Sequence, residues 1–257
     1  MRLGVSYNLF DGEELLEGSI NQIRNEVDYI SVVYQKVSNF GNKCDDNLID
    51  LLNDLIKKNL IDELFEYKPI IQGDGHGHLN EITKRNIGLS LSLKNNCTHH
   101  MSMDSDEYYK PQQFKLLKKV MLENNYDSSF CQMKTYYKDK DVVITPPEDY
   151  YVSLIYKISD NDSFIMSRPS PVLVDPTRRM NPGKFKIFNR DEVQMHHLSY
   201  VRNNIRRKLE NSSSINVFKN RIDLLVKYHE NWTYPSEALM AGVTDKFYKT
   251  EKVKKLF

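Results

Sequence analysis

Thr98-His99-His100-Met101-Ser102-Met103-Asp104-Ser105-Asp106-Glu107 is a short, largely apolar run that ends in two carboxylates one residue apart. Upstream, Asn80 to Asn96 has helical character, so the local order is helix, strand, acidic turn. Residues i and i+2 of an extended chain point to the same side. Asp104 and Asp106 therefore face one region of space at the exposed tip of a strand. Two carboxylates held that close repel each other unless a cation lies between them. Hard oxygen donors of this kind suit Mg²⁺ or Mn²⁺.

Toward the N-terminus the same alternation repeats. Leu3–Phe10 reads as a strand, and Asp11-Gly12-Glu13-Glu14 opens a helix that Asp11 can cap and whose dipole the glutamates suit. Tyr29–Tyr34 is a second strand, Asp45–Leu60 a helix with a leucine stripe, and Leu64–Tyr67 a short third strand. Gln72-Gly73-Asp74-Gly75-His76-Gly77-His78 is the most glycine-dense stretch and is expected to be a loop. This alternation predicts an α/β fold, a mainly parallel sheet with helices on both faces. Ligands of such sheets bind at the carboxyl ends of the strands, where Tyr7-Asn8 and Asp104-Asp106 meet.

Toward the C-terminus, Pro111–Asn124 reads as a helix, Phe130–Tyr137 with Asp141–Ile144 as a hairpin, and Tyr150–Ile158 as a strand. Arg168–Gly183 carries four prolines and is expected to cross the surface near the cleft mouth. Asp191–Leu209 is expected to be a helix bearing His196 and His197, stopped by Asn211-Ser212-Ser213-Ser214, and Val217–His229 a further helix. The expected organisation is a catalytic α/β domain over residues 1–190 with a helical extension over 191–257.

The chain has 257 residues, 40% hydrophobic and 28% charged, which is globular composition with a net charge of +1. That balance argues against a general nucleic-acid binder. The ends differ: residues 1–66 hold 6 Lys/Arg against 13 Asp/Glu, and residues 200–257 hold 12 against 6. The basic tail suits phosphates, a membrane surface touched peripherally, or the acidic part of a second copy in a homodimer; a solvated helical face is the plain reading. Cys44, Cys97 and Cys131 are far apart, with no zinc-like spacing, which suggests reduced thiols in a cytoplasmic setting. No signal peptide and no membrane-spanning run is evident in the sequence.

Thr83-Lys84-Arg85-Asn86-Ile87-Gly88, followed by helix and then Met101-Ser102-Met103-Asp104-Ser105-Asp106, resembles family 2 glycosyltransferases of the GT-A fold. In that family an Ala-Arg-Asn-x-Gly-type helix precedes an apolar strand ending in Asp-x-Asp. The opening strand with Tyr7-Asn8 and its acidic helix start is similar as well, so the likeness covers roughly residues 3–108. It departs from the family at Gln35 and Ser38-Asn39, where many members carry an Asp pair that reads the base. Val193–Arg202, followed by Asn211-Ser212-Ser213, is similar to a C-terminal segment of a bacterial and viral subset.

The resemblance implies transfer of a sugar from a nucleotide-diphosphate donor to a glycan, glycolipid or glycoprotein acceptor. It implies Mn²⁺ or Mg²⁺ held by Asp104 and Asp106, with a distal histidine from His196 and His197. On a helix those neighbours point about 100° apart, so one of them ligates, and His197 is preferred. Tyr7 would stack on the base. Asn8, Asp11, Gln35 and Ser105 would line the donor, and Arg85 would pair with its diphosphate. An inverting enzyme needs a general base, for which Asp191, Glu192, Glu148 and its neighbour Asp149 are the acidic candidates. A nucleotidyltransferase or a non-catalytic nucleotide-sugar binder on a similar sheet is the alternative. The single glycine after strand one, Gly12, speaks against the former.

Overall fold

The computed structural model describes residues 1–71 and 76–255. In chain order the elements begin β1 (Leu3–Leu9), α1 (Glu13–Ile23), β2 (Tyr29–Tyr34), α2 (Leu48–Lys57) and β3 (Glu63–Glu66). Then come α3 (His76–Lys94), β4 (His99–Asp104), β5 (Glu107–Tyr108), α4 (Pro111–Glu123), β6 (Ser128–Tyr137), β7 (Val142–Thr145) and β8 (Tyr151–Lys157). The chain closes with β9 (Phe185–Phe188), β10 (Met195–Tyr200), α5 (Ile205–Glu210), α6 (Ile215–Phe218), α7 (Ile222–Asn231), β11 (Ala238–Met240) and β12 (Lys246–Lys252).

The first half is the expected parallel unit. β3, β2, β1 and β4 lie side by side and run parallel. Every residue of β1 is buried, as befits a strand covered on both faces. The second half is mixed, and its hub is the ten-residue β6. The first half of β6 pairs with β8 and β9; its second half pairs with β10 and β7.

Close helix–strand approach positions α3. A Cβ on Gly88 would stand 2.1 Å from Ser6 Oγ, and one on Gly4 would stand 2.3 Å from Ser92 Oγ. Small residues at both crossings let α3 lie directly on β1. That seats the first turns of α3, with Lys84 and Arg85, over the strand ends. His100 is fully buried beneath the same helix, its Nδ1 2.9 Å from Ser92 Oγ. It is a structural histidine, and so is His99, whose Nδ1 is 2.9 Å from Thr98 Oγ1.

Four expectations are corrected. Residues 191–209 are not one helix: Asp191 sits in a turn, β10 follows, and only α5 is helical. Val193, Met195 and Leu198 are buried apolar positions in a run too short for periodicity alone to separate helix from strand. Pairing with β6 decides for strand. Hence the segment after residue 190 is not a helical extension. It supplies β10 and β12 to the sheet, and β11 beyond β12. The proline-rich connection is not confined to the surface either, since Val174, Thr177, Arg178 and Met180 are all buried. Asp11 does not cap α1; the cap residue is Gly12, with φ +75°.

An aromatic cluster ties the last third to β6. Tyr137 stacks on Tyr200 with centroids 5.5 Å apart and meets Trp232 edge-on at 5.4 Å. Trp232 is thus an anchor, with its indole N–H donating to the Glu237 carbonyl at 2.8 Å. The glycine-dense stretch lies outside the described residues at 72–75, while His76, Gly77 and His78 form the first turn of α3. Cys44, Cys97 and Cys131 are free thiols. No described helix is long and apolar enough to cross a membrane.

Two outcomes follow from this packing. Gly88→Ala should cost about 1–3 kcal/mol through overpacking against Ser6. It should lower the melting temperature by about 2–4 °C per kcal/mol; a variant melting with the parent would refute the close approach. Burial, with Arg85 nearby, pushes the His100 imidazole down to about 3 from 6.5. The folded protein keeps it neutral while the unfolded chain protonates it below pH 6.5. His100 therefore contributes stability that is complete above pH 6.5 and lost as the pH falls toward 3, by about 1.4 kcal/mol per pH unit. Urea midpoints between pH 7 and 5 should fall more steeply for the parent than for His100→Gln.

Candidate active site

The register of the parallel strands gathers the site. Asn8 lies beside Asp104 across the β1–β4 pair, and the Gln35 N–H donates to the Leu9 carbonyl at 3.0 Å. Asn8, Gln35 and Asp104 thus form a row at the carboxyl edge of the sheet. They open on a cleft of about 220 Å³, also lined by Phe10, Asp11, Lys84, Arg85, Ser105, Asp106, His197 and Arg202.

Alternation along β1 sends Tyr7 the other way. Its ring is fully buried and its hydroxyl lies 3.0 Å from Ser19 Oγ, so it does not reach the cleft to stack on a base. Phe10 is the aromatic residue that does line it. It was legible as the next even-numbered position after Asn8. Ser105 is buried, and its hydroxyl donates to the Asp11 carbonyl at 3.2 Å, bracing the acidic turn against the start of α1.

The carboxylates at the tip of β4 are each met by arginine. Arg178 donates to Asp104 Oδ2 at 2.6 Å, and Arg85 lies 3.3 Å from the same oxygen. Arg85 also donates to Ser102 Oγ at 2.8 Å and Thr177 Oγ1 at 3.2 Å. Arg178 bridges onward to buried Glu107, its Nη1 3.1 Å from Oε2. Arg202 donates to Asp106 Oδ2 at 2.6 Å. Burial pushes the Asp104 carboxyl up, but Arg85 and Arg178 outweigh it and hold it well below the ordinary range. Glu107 goes the other way: burial raises it, against the pull of Arg178. Burial also lowers Lys84, which Glu81 and Asp104 oppose.

The two histidines of β10 point to opposite faces, as neighbours on a strand do. That replaces the 100° divergence of the expected helix. His196 turns inward, where its Nδ1 lies 2.9 Å from the Tyr136 hydroxyl, and burial lowers it to about 3. It does not line the cleft. His197 turns to the cleft, its Nε2 3.8 Å from Asp106 Oδ2. Burial lowers it and Asp106 pulls it back up. Among the described residues no three His, Cys, Asp or Glu side chains gather closely enough to cage a metal by themselves. Asp104, Asp106 and His197 nevertheless share one cleft, an oxygen and imidazole set of the kind Mn²⁺ accepts.

Several polar atoms here are buried with no partner among the described residues. They are both amide atoms of Asn8, Gln35 Oε1 and Arg202 Nη1, and each residue lines the cleft. Such atoms cost free energy unless something meets them, about 1–3 kcal/mol each. Lining one cleft together, these four atoms suit a polar ligand there.

A second cleft of about 270 Å³ adjoins the first and shares Asp104 and His197 with it. Glu107, Tyr150, Tyr151, Asp175 and Arg178 are among its walls. The expected general bases are not wall residues, although the Glu148 carboxylate stands near enough to His197 to raise it. Asp191 is exposed in its turn; Glu192 pairs with Lys186 at 3.3 Å and accepts the Asn189 N–H at 2.9 Å. Glu148 accepts from Thr135 Oγ1 at 2.5 Å, and Asp149 from Gln132 Nε2 at 3.1 Å. None of the four lines either cleft. Arg178, Arg202 and Asp175 were not singled out from the sequence. Arg202 had a signal, since it ends the segment Val193–Arg202; Arg178 and Asp175 had none, being held in an irregular connection.

No protein-family model matches the chain, and no curated sequence matches it. Solved structures similar in fold include two of S. aureus TarS. S. aureus TarS 1–349 shares 12% identity, covering 89% of this chain and 72% of that one, with a TM-score of 0.50. The same protein in complex with UDP shares 10% identity over 90% of this chain and 71% of that one, also at 0.50. At such identities the likeness shows the architecture alone, and the chain has the GT-A type of α/β fold.

Proposed function

We propose that the protein transfers a glycosyl group from a nucleotide-diphosphate sugar to a hydroxyl of a glycan, glycolipid or glycoprotein. The observation that carries this reading is the first cleft: unpartnered Asn8, Gln35 and Arg202 atoms beside Asp104 and Asp106, at the strand ends where α/β sheets take their ligands. The similar TarS structure with UDP bound supports it.

In this reading Asn8 and Gln35 hydrogen-bond the base or ribose, and Phe10 offers a ring face to the base. Asp11 and Ser105 shape the ribose side. Lys84, Arg85 and Arg202 supply positive charge to the diphosphate, Arg85 and Arg202 through planar forks. Asp106 and His197, with Asp104 beside them, would hold Mn²⁺ or Mg²⁺. The donor set fits: a cation that bridges a diphosphate takes one or two protein carboxylates and completes its shell from phosphate and water, so no closed protein cage is required. Such a cation supplies Lewis-acid stabilisation of the departing diphosphate. The chain's own contribution is positional. Arg85 and Arg178 keep Asp104 ionised, Arg202 fixes Asp106, and β10 aims His197 across the cleft.

A nucleotide diphosphate that binds only with Mn²⁺ should raise the melting temperature by several degrees at about 100 times its dissociation constant, from about 2.7 kcal/mol of binding linkage. Asp106→Asn and His197→Ala should each lose that rise, measured from their own unliganded baselines, while His196→Ala should keep it. A panel of uridine, guanosine, cytidine and adenosine diphosphates that moves no melting curve, with or without Mn²⁺, would sink the donor reading.

A further inference from the structure

We propose that the second cleft is the acceptor site, that it takes an uncharged sugar, and that Asp175 receives the proton of the attacking hydroxyl. This rests on the donor reading above. The two clefts meet at Asp104 and His197, so a sugar transferred between them passes the tip of β4.

The electrostatics of the walls set the acceptor class. Asp104, Glu107 and Asp175 line the cleft, and Arg178 is the sole Lys or Arg that does so among the described residues. Its guanidinium is already committed: Nη1 to the Ser102 carbonyl at 3.3 Å and to Glu107, Nη2 to Asp104 at 2.6 Å and to Glu107. With Asp104 and Glu107 both paired to Arg178, the open carboxylate oxygen is that of Asp175, and an anionic acceptor would meet it with no uncommitted Lys or Arg in the wall, which disfavours it. A cationic acceptor would pair with Asp175 and occupy the group needed for the proton. A neutral, hydroxyl-rich ligand meets neither obstacle. Tyr150 and Tyr151 suit it, since neither hydroxyl makes a hydrogen bond among the described residues, and Pro176 adds an apolar wall.

Asp175 is built for the role. It stands where the connection turns inward, and its Oδ1 accepts from the Thr177 N–H at 2.8 Å and the Thr177 hydroxyl at 2.9 Å. That leaves Oδ2, which lies 3.9 Å from Arg85. The side chain is 33% exposed, open to a ligand yet fixed in place. In the step, the acceptor oxygen bonds to the anomeric carbon and gives its proton to the Asp175 carboxylate. The bond from that carbon to the diphosphate oxygen breaks, and its electron pair leaves with the nucleotide diphosphate.

The test uses the full chain with Mn²⁺, the nucleotide sugar whose diphosphate shifts the melting curve, and matched p-nitrophenyl hexosides, hexuronides and amino-hexosides. Transfer to the hexoside should exceed that to the matched hexuronide and amino-hexoside by at least tenfold in kcat/KM. Asp175→Asn keeps an oxygen for the Thr177 cap, so it should melt with the parent and bind the nucleotide diphosphate within twofold. Its kcat for transfer and for slow donor hydrolysis should fall by about 10²-fold or more. Preference for a charged glycoside, or Asp175→Asn turning over within tenfold of the parent, overturns the proposal. Loss of nucleotide binding in the parent itself would instead strike the donor reading.

Discussion

Charge balance at the tip of β4 is the constraint the rest of the molecule answers to. Asp104, Asp106 and Glu107 stand within four residues, and Glu107 and Asp106 are buried. Carboxylates withdrawn from water in this way are tolerated only when paired. The partners come from three separate elements: Arg85 from α3, Arg178 from the connection before β9, and Arg202 from the turn after β10. None is close in sequence to the others. Segments as far apart as Arg85 and Arg202 must come together before the tip is neutralised, so the site depends on tertiary assembly. Pairs like these add little net stability over apolar packing, yet removing one partner strands the other, at about 3–5 kcal/mol. Such an arrangement serves positioning more than stability.

That requirement explains why the C-terminal third is woven into the sheet instead of lying against it. β10 pairs with both β6 and β5, and β5 directly follows the acidic turn. The Leu198 N–H donates to the Asp106 carbonyl at 2.8 Å, which locks the backbone of the turn to the strand that carries His197. From there the chain runs on through Arg202, Lys208 and Asn211–Ser213, all lining the first cleft. Asn42 donates to Asn211 Oδ1 at 3.0 Å and joins this wall to the loop after β2. The cleft therefore has an N-terminal floor and a C-terminal roof.

The two clefts have contrasting chemistry. The first gathers Lys84, Arg85, Arg202 and Lys208 against its acids and holds unpartnered amide groups, which suits a polar, anionic ligand. The second has one committed arginine and three carboxylates. Asp104 and His197 stand at the junction, so whatever crosses from one to the other meets both. This polarity arises from which strand ends and which connection supply each wall.

The sequence by itself determined the parallel first half, because its alternation of buried strands and amphipathic helices is a local pattern. It also determined the acidic tip at Asp104 and Asp106, where spacing within one element suffices, while Arg85 was marked by the family resemblance. Only the tertiary structure decided that Met195–Tyr200 is a strand, so that His197 faces the cleft and His196 the core. It likewise decided that Tyr7 is a core residue, that Asp191, Glu192 and Glu148 line neither cleft, and that Arg178, Arg202 and Asp175 do. Apolar periodicity and turn chemistry are written into neighbouring residues. Which distant guanidinium satisfies a buried carboxylate is settled by pairing between elements some seventy to a hundred positions apart, and no local pattern records it.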